Sequence, residues 1–174
     1  YRPSSNGEGE ALVNDDITHT TATLHISGLP HTGWPHALDY YQICSNILEP
    51  YTQPGTNDTS KQTPFERRFQ NTFVGSLAPL GSGLKFRIVD KKSVKKKRKF
   101  ESKLCEGVML GVHLNPGGIW SGDYLAAKVC DFCDLRPGAF PRVYRVRDVE
   151  FPSGEFVFPL FEARQAAIKK CLEE

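Results

Sequence analysis

Several groups of side chains in this sequence have the types and spacing to do chemistry. The stretch "SSNGEGE" (Ser4 to Glu10) sets two carboxylates, Glu8 and Glu10, just ahead of a long periodic segment. It reads either as a small, polar, glycine-containing end or as the edge of a site. The run "KKKRK" (Lys95 to Lys99) concentrates cation in a few residues. Clustered Lys and Arg neutralise phosphates and release counterions, which gives nucleic-acid affinity without sequence preference. Arg145 and Arg147 alternate on one strand face and extend such a patch, as do Lys85 and Arg87. The Cys130-Asp131-Phe132-Cys133 stretch has zinc-knuckle spacing, but a closed zinc site needs four ligands. With Cys105 and His113 as the only candidate helpers, it reads as a pair of reduced thiols, and zinc is not expected. His19, His25, His31 and His36 gather around two helical segments and read as helix-surface residues. Trp34 and Trp120 read as core or turn anchors.

The composition bounds what these groups can belong to. The chain has 174 residues, 39% of them hydrophobic and 24% charged, ordinary values for a globular protein. Its formal charge is only +2, so the basic block matters more than the sum. Five cysteines at irregular spacing argue against a disulfide framework and for a reducing compartment, nuclear or cytoplasmic. No apolar run approaches bilayer length and no signal peptide is visible, so no membrane partner is expected. The chain does not open on Met, and it reads as a piece of a longer protein.

Residues 11–30 carry two patterns. "TATLHI" alternates as a strand does, whereas Val13, Ile17, Thr20, Leu24 and Gly28 share one helical stripe that Gly28 and Pro30 would end. "WPHALDYYQICSNIL" (Trp34 to Leu48) predicts a helix with Trp34, Ala37, Leu38, Tyr41, Cys44 and Leu48 on its apolar face. Cys44 and Cys171 are packing residues of helical apolar faces. A Pro/Gly-rich loop follows over 49–62. Thr63 and Glu66 then make a capping box with Pro64 at the first helical position. "LKFRIV", "GVMLGVHL", "IWSGDYLAAKV", "RVYRVRDVEF" and "EFVFPLF" predict five short strands, and "EARQAAIKKCLEE" a final helix. The expected fold class is α+β, with a small barrel or sandwich in the second half.

The order of these features resembles a known family. Asn6-Gly7-x-x-Glu10, Leu29-Pro30, Trp34, Ala37 and Thr63-Pro64-Phe65-Glu66 fall where the end of the integrase core of Ty1/copia-type retrotransposons has matching residues. "KFESKLCEGVMLGVHLNPGGIWSGDYLAAKV" looks like the segment after that core, and Gly117-Gly118-Ile119-Trp120-Ser121-Gly122-Asp123 matches a Gly-Gly-x-Trp-x-Gly-Asp stretch of related reading frames. The resemblance implies the C-terminal helices of an RNase H-like core over 1–48, a connector with a short helix over 49–69, and an SH3-like β-barrel with a basic loop and terminal helix over 70–174. It implies metal-dependent 3′-end processing and strand transfer by the whole protein. Three carboxylates would hold paired Mg²⁺ ions there, because phosphoryl displacement needs hard oxygen ligands around both reacting oxygens. Glu10 takes the place of the catalytic, metal-binding Glu. The two Asp would lie upstream, and Asp15 and Asp16, further along the same helix, cannot replace them. The fragment alone would be catalytically incomplete.

The partners this implies are DNA, a second copy of the parent protein, and, through Lys95, Lys96, Lys97, Arg98 and Lys99, the nuclear import machinery. The helix after Glu10 carries Asp15 and Asp16 where the family carries Arg and Lys, which takes DNA contact away from it. The competing reading is a non-enzymatic β-rich module whose basic loop binds nucleic acid or an acidic partner.

Overall fold

The computed structural model describes residues 7–50, 61–88, 104–133 and 135–173, without the side chain of Glu8. The elements are α1 (Gly7–Ser27), a 3-10 turn (His31–Gly33), α2 (Trp34–Leu48), α3 (Pro64–Phe69), β1 (Gly83–Arg87), β2 (Leu104–Asn115), β3 (Ile119–Lys128), a second 3-10 turn (Val129–Phe132), β4 (Tyr144–Val146), β5 (Val149–Glu150) and α4 (Pro159–Glu173). The class is α+β.

Residues 11–28 are helical despite their split propensity. Thr18 and Thr21 turn their hydroxyls back onto the carbonyls of Asn14 and Ile17, which seats polar β-branched side chains inside a helix. Gly28, at φ +70°, ends α1 in the left-handed conformation that a helix stop favours. In α3 the Thr63 hydroxyl accepts from the Glu66 amide while the Glu66 carboxylate accepts from the Thr63 amide, and Pro64 opens the helix. The capping box thus forms as its local pattern predicts.

The strands make one antiparallel sheet in the order β4-β3-β2-β1-β5. Its edges are supplied by one short stretch of chain. Val146 pairs with β3 and Val149 pairs with β1, with only Arg147 and Asp148 between them. Three virtual Cα–Cα bonds span at most about 11 Å, so the sheet must curl until its two edges nearly meet. The Arg87 amide donates to the Asp148 carbonyl at 3.2 Å across this seam. No ladder joins β4 to β5 among the described residues.

The curled sheet has a hydrophobic layer on each face. Phe86, Met109, Val112, Tyr124 and Val146 fill the inside. Val108, Leu110 and Ala127 face outward and pack with Leu29 of the helix connection, Ala37 of α2 and Leu80. With both faces covered, β2 is buried without interruption from Gly107 to Val112. A bulge between Met109 and Gly111, the glycine at φ +133°, shifts the alternation by one residue and returns Val112 to the inner layer.

Three sequence expectations are corrected. "EFVFPLF" is not a strand: Phe158 caps α4, accepting from the Glu162 amide, and Pro159 opens that helix. The packed face of α2 is turned from the one read off the sequence. Ala37, Tyr40 and Ile43 meet the sheet, while Trp34 and Leu48 are exposed. The N-terminal half of the α1 stripe, Val13 and Ile17, is exposed as well.

Candidate nucleic-acid interface

The seam opens into a groove of about 590 Å³ lined by Arg87 and Ile88 at the end of β1, Asp123 of β3, and residues 142–148. Four of the lining residues are arginines: Arg87, Arg142, Arg145 and Arg147. The curl of the sheet is what gathers them, because β1 and β4 lie at separate positions in the strand order.

Asp123 organises two of the four. It is buried to 5% exposure on the outer face of β3. Its Oδ2 accepts from Arg145 through Nε at 2.8 Å and through Nη2, and from the Ser121 hydroxyl at 3.1 Å. Its Oδ1 accepts from Arg147 Nε at 2.9 Å. These bonds, that of Arg145 foremost, hold the Asp123 carboxyl down to about 2 against partial desolvation. The outer ends of both guanidinium groups are fixed too. Arg147 Nη2 donates to the Ser121 carbonyl at 2.9 Å, and Arg145 Nη2 to Asn115 Oδ1 at 3.4 Å. Fork-shaped donors held this way are preorganised for a second oxyanion at their free edges.

The other two arginines are unpaired. Among the described residues, neither Arg87 nor Arg142 has a carboxylate within ion-pair distance. Arg142 lies over the Tyr144 ring at 5.0 Å, with Lys128 Nζ over the same ring at 5.5 Å. Arg142, Arg145 and Arg147 are exposed. Lys85, by contrast, is flanked across the sheet by Glu106 and Glu150, its register partners on β2 and β5.

The Gly-Gly-x-Trp-x-Gly-Asp stretch builds this site. Gly117 and Gly118, at φ +89° and +81°, make the tight turn from β2 to β3. Trp120 packs against Phe73 and Tyr124 and donates from Nε1 to the Asp123 carbonyl at 3.0 Å. Gly122 is at φ +90°, and a Cβ there would meet Arg147 Nε at an ordinary contact distance of 3.7 Å.

The other predicted residues lie elsewhere. Glu10 is exposed in the first turns of α1. Among the described residues, no three His, Cys, Asp or Glu side chains converge as metal ligands. A single carboxylate does not make a divalent-cation site, so no chemical step is assigned to Glu10. Asp15 accepts from the Tyr41 hydroxyl at 2.8 Å and Asp16 from Gln42 Nε2 at 3.3 Å, which commits both acids to the α1–α2 contact. His19 stacks on Tyr41, His25 meets Phe161 edge-on and His36 leans on Phe140. Cys130 and Cys133 are exposed in the 3-10 turn, and Cys130 donates to Asp131. Lys95 to Lys99 fall outside the described residues, in the segment joining Arg87 to Leu104, which are register partners. Among the described residues no helix is long and apolar enough to cross a membrane.

Arg145 and Arg147 were legible as an alternating pair. Arg87 was read with Lys85 as a further extension of the patch, and Asp123 only as the last residue of the Gly-Gly-x-Trp-x-Gly-Asp stretch; Arg142 was not singled out. Compared with protein-family profiles, curated proteins and solved structures, the chain matches none.

Proposed function

We propose that this chain is the DNA-holding end of a retrotransposon-type integrase. The curled sheet serves as an SH3-like module whose arginine seam grips the phosphate backbone. The gathering of Arg87, Arg142, Arg145 and Arg147 along one groove carries this reading, because a strip of cations braced by a buried carboxylate suits a polyanion. Lys95 to Lys99, in the segment that leaves β1 at Arg87, add charge to the same partner and serve as a nuclear-import signal. In this reading α1 and α2 are the last helices of an RNase H-like core, and their support is the order of the sequence motifs. The metal-dependent processing and strand transfer belong to the longer protein, to which Glu10 contributes one of three carboxylates. Its assembly into oligomers belongs there too.

The test is duplex-DNA binding over a salt series. The intact chain should bind, with affinity falling steeply as salt rises, and replacing Lys95 to Lys99 by Ser should flatten that dependence. Absence of binding, or binding indifferent to salt, rejects the reading. One alternative is a binding module with no catalytic part. The parent reading frame separates the two: an RNase H-like pattern with two Asp upstream belongs to the integrase, and its absence to the module.

A further inference from the structure

A second cavity has a different chemistry from the arginine groove. It measures about 300 Å³ and is bounded by α2, α3 and the β2–β3 turn. Phe65 and Phe69 of α3 form one wall, their ring centroids 4.7 Å apart. Ile43 and Leu114 supply apolar surface. Arg68 is exposed and lies 5.3 Å over the Phe69 ring, with no carboxylate partner among the described residues. Asn46, also lining the cavity, gives one amide N–H to the Gln42 carbonyl at 2.7 Å. Its Oδ1 and second N–H are unengaged.

The β2–β3 turn supplies Gly118 to the cavity and meets the groove residue Arg145 through Asn115. Asn115 opens it and accepts from Arg145 on the groove side. Its carbonyl accepts from the Gly118 amide at 3.0 Å. Gly118 in turn faces α3: a Cβ there would lie 3.4 Å from the Phe69 ring and 4.0 Å from Arg68 Nη1. One hairpin turn therefore has guanidinium groups on one side and aromatic rings on the other.

We infer that this cavity takes an unpaired nucleobase of a DNA strand whose backbone lies in the arginine seam. The inference rests on the DNA-holding reading above and adds a preference for unpaired over duplex substrate. Aromatic faces and a guanidinium plane stack on any base, and an apolar cleft holds one only after it leaves the duplex stack. The carbonyl and second N–H of Asn46 match the donor–acceptor edge that adenine presents.

Two labelled duplexes of equal paired length, one blunt and one ending in a short single-stranded overhang, test this with the intact chain. The wild type should bind the overhang form between about five- and 150-fold more tightly, the range expected for one stacked base. Phe69→Leu should remove that preference, and Arg68→Gln and Asn46→Ala, on exposed residues that leave the core intact, should each reduce it. Blunt-duplex affinity should stay within about twofold in the Phe69 and Asn46 variants. Equal binding of both duplexes by the wild type overturns the inference and leaves the arginine groove standing. A preference that survives all three substitutions also overturns it. Failure to bind either duplex overturns the DNA-holding reading along with it.

Discussion

The arginine seam predicts a charge count that a salt titration can read. Arg145 and Arg147 share one buried carboxylate, so with Asp123 they present a net single positive charge. Arg87 and Arg142 present one each. Asp148 lines the same groove and is common to every variant, so it cancels from comparisons. For duplex DNA each phosphate neutralised contributes about 0.9 to the slope of log affinity against log salt. Between about 50 and 200 mM salt, one such contact is roughly a 3.5-fold change, and three are roughly 40-fold. Arg142→Gln and Arg87→Gln should each lower the slope by about 0.9. The triple variant Asp123→Asn/Arg145→Gln/Arg147→Gln should lower it by about the same amount, because the trio it removes carries one net charge. Asp123→Asn should raise it by about one contact, provided the variant is folded by circular dichroism. Fluorescence anisotropy on a labelled duplex at several salt concentrations measures all of these. If Arg142→Gln and Arg87→Gln leave slope and affinity unchanged, phosphate does not lie in the seam. If the triple variant loses two contacts, Asp123 is not neutralising one of the arginines.

Two further predictions concern the fold that holds the seam. Asp123 has a carboxyl lowered from its ordinary 3.8 to about 2, so it contributes stability that is complete above about pH 4 and is lost as pH falls toward 2. Thermal melts across that window should show a steeper acid loss in the wild type than in Asp123→Asn, and identical acid limbs would refute the coupling. Gly28→Ala places a Cβ 2.2 Å from the Phe161 backbone nitrogen at φ +70°, whereas Gly138→Ala, at φ +79°, meets open space. Urea denaturation should show about 2–5 kcal/mol lost in the first and about 1–2 kcal/mol in the second, and equal losses would mean that α1 and α4 do not cross so closely.

What the sequence made legible follows the range of the forces involved. The α3 capping box and its Pro64 were readable because both partners lie within one turn. The bounds of α2 were readable from the apolar period of Trp34 to Leu48. Its orientation was not, since the face that is buried depends on where β2 lies, and Ala37, Tyr40 and Ile43 won over Trp34 and Leu48. In α1 the β-branched residues argued for a strand, and the contact with α2 decided for a helix. "EFVFPLF" alternates as a strand does, but Pro159 cannot donate to a ladder and instead starts a helix.

The candidate site was half legible for a similar reason. Alternation on one strand places Arg145 beside Arg147, and that much is local. Arg87 joins them only because the sheet curls until β1 meets the chain leaving β4, and curl is a property of five strands together. The Gly-Gly-x-Trp-x-Gly-Asp stretch is where local sequence does encode the tertiary result. Its first two glycines turn the hairpin that brings Asn115 to Arg145 and Gly118 to Phe69, and its Trp locks the start of β3 against the inner layer. Arg147 passes over Gly122 at contact distance, and the Asp receives both arginines. The glycines and the Trp serve the hairpin and the inner layer, whereas the buried acid answers to the charged face alone. A chain that kept the turn but replaced Asp123 with an aliphatic residue should therefore keep its sheet and lose the fixed spacing of its cations. That separates a site built by this motif from a surface where arginines happen to collect.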